Sequence, residues 1–312
     1  MTTKPKWYKP DGQLAARMTL TMVLLAVVYV AFVYVLWAFV HLSFILVLIG
    51  AGVVAGIQFF MADKIALWSM GARIVTAEEA PQLHDMISRL AQQANLPMPQ
   101  VAIVDSTVPN AFATGRNERH SVVCVTTGIM SRLNGPEMEA VLAHELTHII
   151  NRDVLVMSIA SFFAMVAGLL TRVFYWSAIF GGGGFDNRRR DDNGGNLAII
   201  GLLVSAVVSV ISFFLVRTLS RYRELAADRG SALITGSPQN LATALMKISD
   251  TMAHGRIPDQ DLRQASIVSA MCIIPAIRGE DVGELFSTHP SLEHRIAQLQ
   301  AMQTQMESAS RS

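Results

Sequence analysis

The stretch "VLAHELTHIINRDVLVMSIASFFAMVAGLL", Val141 to Leu170, decides how this chain is read, because it joins two signals that seldom meet. His144-Glu145-Leu146-Thr147-His148 places two imidazoles at i and i+4, and on a helix those rings leave one face a single turn apart. That spacing lets both reach one tetrahedral Zn2+. Glu145, turned about 100° round the axis, stands where a carboxylate can take a proton from an attacking water. A few residues on, from Val154, the chain turns too apolar for a soluble surface.

Composition widens the second signal. Of 312 residues, 52% are hydrophobic and 16% charged, against roughly 25% charged in an average soluble domain. Mean hydropathy is +0.39, which points to a membrane protein. A net charge of +1, with no Lys/Arg run interleaved with aromatics, sets nucleic-acid binding aside. Cys124 and Cys272, far apart and outside any CxxC, read as small core residues in a reducing compartment.

Four apolar stretches follow one another: Met18 to Val40, Leu42 to Phe60, about Val154 to Leu170, and Leu197 to Val216. Crossing a ~30 Å hydrocarbon core takes about 20 residues, so the first pair predicts a transmembrane helical hairpin. The first stretch is too long for a signal-peptide core and lacks a cleavage site, which makes it a retained anchor. The second pair predicts another hairpin, closed by the Gly/Arg/Asp connector at 181–196. A buried hairpin in a soluble core is its alternative, toward which Arg172 leans unless its head snorkels.

The expected organisation is an N-terminal extension (1–17), a hairpin (18–60), a first polar part (61–153), the second hairpin (154–216) and a second polar part (217–312). Lys4, Lys6, Lys9 and Arg17 precede the first span, and Lys64 and Arg73 follow the second. Arg152 precedes the third, and Arg217, Arg221 and Arg223 follow the fourth. Against Arg188, Arg189 and Arg190 in the connector, this majority puts both termini and the polar parts in the cytosol.

Within the polar parts, "APQLHDMISRLAQQANL" has helical periodicity, while "QVAIVDS" and "SVVCVTTGIM" read as strands. "PEMEAVLAHELTHIINRD" opens a helix on Pro136, with Glu137 and Glu139 where the helix dipole favours acids. The apolar run Ala265 to Ile277 is too short to span and fits core, loop or interface.

A catalytic zinc keeps three protein ligands, so a third must come from elsewhere. "RYRELAADRG", directly after the fourth stretch, offers Glu224 as ligand and Asp228, one turn on, to hydrogen-bond the far nitrogen of a ligating His. Taken alone, the same residues suit an Ala-rich surface helix with i,i+4 charge pairs. An antiparallel hairpin, however, returns the chain to the side it left. His148 and Glu224 then stand about 9 and 12 Å of helix from their respective spans.

"HELTH" and "ELAAD" across a hydrophobic hairpin resemble the M48 metalloproteases, in particular the HtpX-like bacterial membrane proteases, over about Ala77 to Ala301. The resemblance implies a mainly helical α+β zincin-like (gluzincin) metalloprotease domain with four transmembrane helices and one Zn2+ per chain. Its metal ligands would be His144, His148 and Glu224, with Glu145 as base and Asp228 behind a ligand. In "VPNAFATGRNE", Asn110 and Ala111 match the edge strand to which substrate adds, and Gly115 fits a turn. In "STHPSLEHRIAQL", His289 would donate to the oxyanion and Arg295 would pair a carboxylate. Asp153 also matches a family-like position, without an assigned role.

The implied function is cleavage of unfolded or damaged membrane proteins at the bacterial inner membrane, in contact with lipid, with the site facing the cytosol. The related prenyl-protein branch has more spans, and a non-proteolytic scaffold has no need of the intact Glu145.

Overall fold

The structure is a computed structural model and describes residues 11–35, 44–179, 194–254, 273 and 289–311. In chain order its elements are α1 (Gly12–Val35), α2 (Phe44–Met70), β1 (Arg73–Ile74), α3 (Pro81–Gln93), β2 (Gln100–Val104), β3 (Ala111–Asn117) and β4 (His120–Thr126). They continue with α4 (Thr127–Arg132), α5 (Gly135–Ile150), α6 (Asp153–Ile179), α7 (Gly194–Thr235), α8 (Pro238–His254) and α9 (Leu292–Arg311). The architecture is mostly helical around one small sheet. Cys272, the connector at 181–193 and the apolar run 265–277, Ile273 apart, lie outside the described residues.

The chain divides into two compact units. The first holds the sheet and draws on 1–15, 60–155 and 220–312. Strand order is β1-β2-β4-β3, with β2 and β4 parallel and the outer pairings antiparallel, so β3 is an edge. Val122 through Thr126 are buried on both faces of β4, as a central strand requires. One sheet face contributes Val101, Val123 and Val125 to a core with Ile87 of α3, Leu142 and Leu146 of α5 and Leu245 of α8. The other face packs Val104, Phe112 and Cys124 on Ala66 and Met70 of α2. Each large side chain buried there stabilises the fold by about 1.5–3 kcal/mol.

Local chemistry sets the boundaries of several elements. The strand expected to run through "TTGIM" stops at Thr126, whose hydroxyl accepts the Ile129 N–H at 3.1 Å and starts α4 instead. Helix α1 begins at Gly12, because the Asp11 carboxylate takes the N–H groups of Gln13 and Leu14. At α5, Asn134 and Glu137 form a reciprocal capping box with Pro136 in the first turn. Lys247 of α8 then pairs with Glu137 at 2.7 Å, tying a second helix to this helix start.

The second unit, from 16–59 and 156–219, is apolar inside and out. Inside, Phe32, Leu170, Phe174 and Val208 pack together, and the Tyr29 hydroxyl donates to the Ala160 carbonyl at 2.9 Å. Outside, Val30 (70% exposed), Leu169, Trp176 and Leu203 face outward with no polar cover. Helices apolar all round suit lipid, not water. Among the described residues three helices are long and apolar enough to cross a membrane: Gly12–Val35, Asp153–Trp176 and Ile199–Thr235. The expected second span starts outside the described residues, and its helix runs Phe44–Met70.

Candidate metal centre

Helix α5 presents His144 and His148 as their spacing requires, with the two Nε2 atoms 3.2 Å apart. Helix α7 continues without a break past its apolar part and delivers Glu224 to them. Glu224 Oε2 lies 3.7 Å from His144 Nε2, and Oε1 lies 3.6 Å from His148 Nε2. The three ligand atoms fall within 4.8 Å of one another. Small residues allow this approach. A Cβ at Gly230 would stand 2.3 Å from Thr147 Cγ2, and Ser231 Oγ donates to the Ala140 carbonyl at 2.6 Å.

Behind each histidine stands a carboxylate, and behind each carboxylate an arginine. His144 Nδ1 is 2.9 Å from Asp228 Oδ1, and Arg295 grips Asp228 with Nε and Nη2 at 2.8 and 2.6 Å. His148 Nδ1 is 2.5 Å from Asp153 Oδ2, and Arg223 Nε meets Asp153 Oδ1 at 2.9 Å. Burial raises both aspartate pKa values, but the facing guanidiniums outweigh it and hold them below the usual range. An ionised carboxylate only accepts, so each Nδ1 is the ring nitrogen suited to donate to it, and each Nε2 is the one that would bind a metal.

The two Nε2 atoms, 3.2 Å apart, and the Glu224 carboxylate, 3.7 and 3.6 Å from them, face one another as donors around one cation would. Ligand atoms bonded at about 2.1 Å to a tetrahedral ion stand roughly 3.4 Å apart, close to the spacings here. The residues therefore fit a metal of the zinc type. The local field agrees. Burial opposes charge on His144, yet Asp228 and Glu224 push its pKa up to about 9. Glu224 itself is held well below the usual carboxylate range, against burial, by His289 and His144.

Glu145 is buried on the same helix, and Oε2 accepts the Ala113 N–H of β3 at 2.8 Å. Burial raises its pKa, tempered by the neighbouring His144 and His148 rings, which favours proton uptake. His289 Nδ1 stands 3.2 Å from Glu224 Oε2, beside the candidate ligands. Arg295, besides gripping Asp228, donates to the Ile273 carbonyl at 2.8 Å. Asn110 and Ala111 lie at the start of β3 and are buried. Asn110 Oδ1 accepts the Ile273 N–H at 3.1 Å, so that side chain braces the strand. Gly115, expected in a turn, lies inside β3 with φ +134.

Sequence reasoning missed the Asp153–Arg223 pair and the Ala113 N–H. Asp153 offered a weak signal, an acid just past the HEXXH helix, but nothing in the sequence joins it to a residue seventy positions later.

This chain belongs to Peptidase family M48, whose family model matches residues 77–303. It is a metallopeptidase, and its three helices of membrane-crossing length and composition make it a membrane protease. It is 52% identical over 298 residues to the protease HtpX homolog of Moorella thermoacetica, covering 95% of this chain and 97% of that one. It is also 52% identical over 303 residues to protease HtpX homolog 2 of Methanosarcina acetivorans, covering 97% and 99%. The crystal structure of S. mikatae Ste24p shares the fold at a TM-score of 0.55 and 18% identity, over 93% of this chain and 67% of that one.

Proposed function

We propose that this protein is a zinc endopeptidase of the gluzincin type, with one Zn2+ held by His144, His148 and Glu224 and with Glu145 as general base. The observation that carries the reading is the convergence of those three ligand atoms within 4.8 Å, with Glu145 on the same helix. Zinc, when bound, would supply Lewis acidity to the attacking water and the scissile carbonyl.

The chain's own residues do the rest. Glu145 takes a proton from the water and passes it to the leaving amine, with Ala113 N–H fixing the rotamer of its carboxylate. Asp228 and Arg295 fix the His144 ring. His289, buried beside Glu224, donates to the oxyanion as the carbonyl becomes tetrahedral. Substrate lies as an added strand along the edge strand β3, from Asn110 and Ala111 onward.

In this reading the apolar stretches at 18–60 and 154–216 form two hairpins, so four helices cross the bilayer. The extension 1–17 and the catalytic parts 61–153 and 217–312 then lie on the cytosolic side of a bacterial inner membrane. Substrates are unfolded or damaged membrane proteins, removed as quality control under stress. The names of relatives aligned over nearly their full lengths favour this branch over a prenyl-protein protease. The intact Glu145 disfavours an inert scaffold.

The test pairs zinc content with casein cleavage in detergent for wild type, Glu145→Gln and Glu224→Ala. Wild type should carry about one zinc per chain and cleave, Gln should keep zinc and be inert, and Ala should lose most of both. Cleavage by the Gln variant at the wild-type rate would sink the mechanism.

A further inference from the structure

The edge strand β3 carries an irregularity that the mechanism above leaves unused. In its register with β4, Gly115 stands opposite Ser121 and Asn117 opposite His120, which leaves Arg116 as an extra residue with no counterpart. This is a β-bulge, a device that re-aims a side chain beside active sites. Gly115 makes it possible, since its φ is +134 and a Cβ there would lie 2.1 Å from the His120 carbonyl oxygen. The bulged Arg116 stands with its guanidinium 5.9 Å from the Phe60 ring centre, and no carboxylate pairs with it among the described residues.

Across from it, the turn between α5 and α6 places Arg152 with φ +55. A groove runs between, continuous with His148. Ala113, Gly115 and Arg116 line one wall, and Ile149, Arg152 and Leu155 the other. Glu118 neutralises Arg152 at 3.1 Å and Arg223 neutralises Asp153, so Arg116 leaves the groove with a surplus positive charge.

Direction follows from the sheet. A strand added antiparallel to β3, the more stable pairing, sets its N-terminal residues opposite Gly115 to Asn117 and its cleaved bond near Ala113 and Glu145. We propose that this groove is the subsite for the substrate residue about two or three positions N-terminal to the cleaved bond, and that Arg116 makes it select an acidic side chain there. The inference rests on the peptidase reading above.

The test digests a diverse peptide library with the full-length, zinc-loaded enzyme in detergent and maps cleavage sites by mass spectrometry. Wild type should enrich Asp and Glu at one of those positions about three- to fivefold, as for an exposed ion pair. Arg116→Glu should reverse the preference toward Lys and Arg, while Arg116→Lys should keep it. In parallel, the Glu145→Gln enzyme should bind a fluorescent peptide with Asp at that position more tightly than its Lys counterpart, and Glu145→Gln/Arg116→Glu should invert the order. Cleavage with the same charge profile in wild type and Arg116→Glu, or acid enrichment only C-terminal to the bond, overturns the subsite. Charge-selective binding without any cleavage by wild type leaves the subsite standing and overturns the peptidase mechanism.

Discussion

The two histidines of the candidate metal centre have the same chemistry and different supports. His144 is backed by Asp228 and Arg295, both nearly fully buried, with a two-point grip and a further bond to the Ile273 carbonyl. His148 is backed by Asp153 and Arg223, whose nearest contact is 2.9 Å, and its own side chain is 14% exposed. In the first arm the Asp228 carboxylate is over-determined, since two bonds from Arg295 hold it and neither alone sets its direction. In the second, Arg223 and Asp153 meet as an ion pair whose nearest contact is Nε to Oδ1. A planar guanidinium gripping two oxygens fixes direction as well as distance, which a single N–H cannot do.

Four substitutions break or sharpen this contrast. Glu224→Ala removes the proposed ligand that faces both histidines, so both arms should be left holding a two-ligand site. Zinc content measured after dialysis should fall to a small fraction of wild type, whatever the state of the arms. Arg295→Met should come next, because it strands a buried carboxylate. A loss of about 3–5 kcal/mol in chemical denaturation is expected, and a loss under 1 kcal/mol would show that the grip is not structural.

Asp228→Asn keeps the shape and removes the charge behind His144. Zinc affinity by chelator competition should drop about 10- to 100-fold. Arg223→Gln should give the smallest effect. It loosens Asp153 without removing it, so zinc affinity should fall less than for Asp228→Asn, and an equal or larger fall would erase the asymmetry between the arms.

The same contrast explains what the sequence made legible. His144, Glu145 and His148 were readable because a helix alone fixes their geometry, and Glu224 and Asp228 because i,i+4 spacing repeats the logic on a second helix. Arg295 came only through a family resemblance. Asp153 and Arg223 meet through tertiary packing alone, and so do Glu145 and the Ala113 N–H. Strand β4 was foreseen but ran too far, since a threonine reads equally as β-former and helix cap until its hydroxyl finds a partner. The apolar helices were the easiest elements to see, because length and hydropathy need no partner to be read.

Gly230 gives the contact between α5 and α7 a genetic meaning. Thr147, the residue its absent side chain would strike, is fully buried and β-branched, with few rotamers into which to retreat. Every amino acid one base change away from a glycine codon carries a Cβ. No missense step at this codon therefore spares the contact, and the position should tolerate synonymous variation alone.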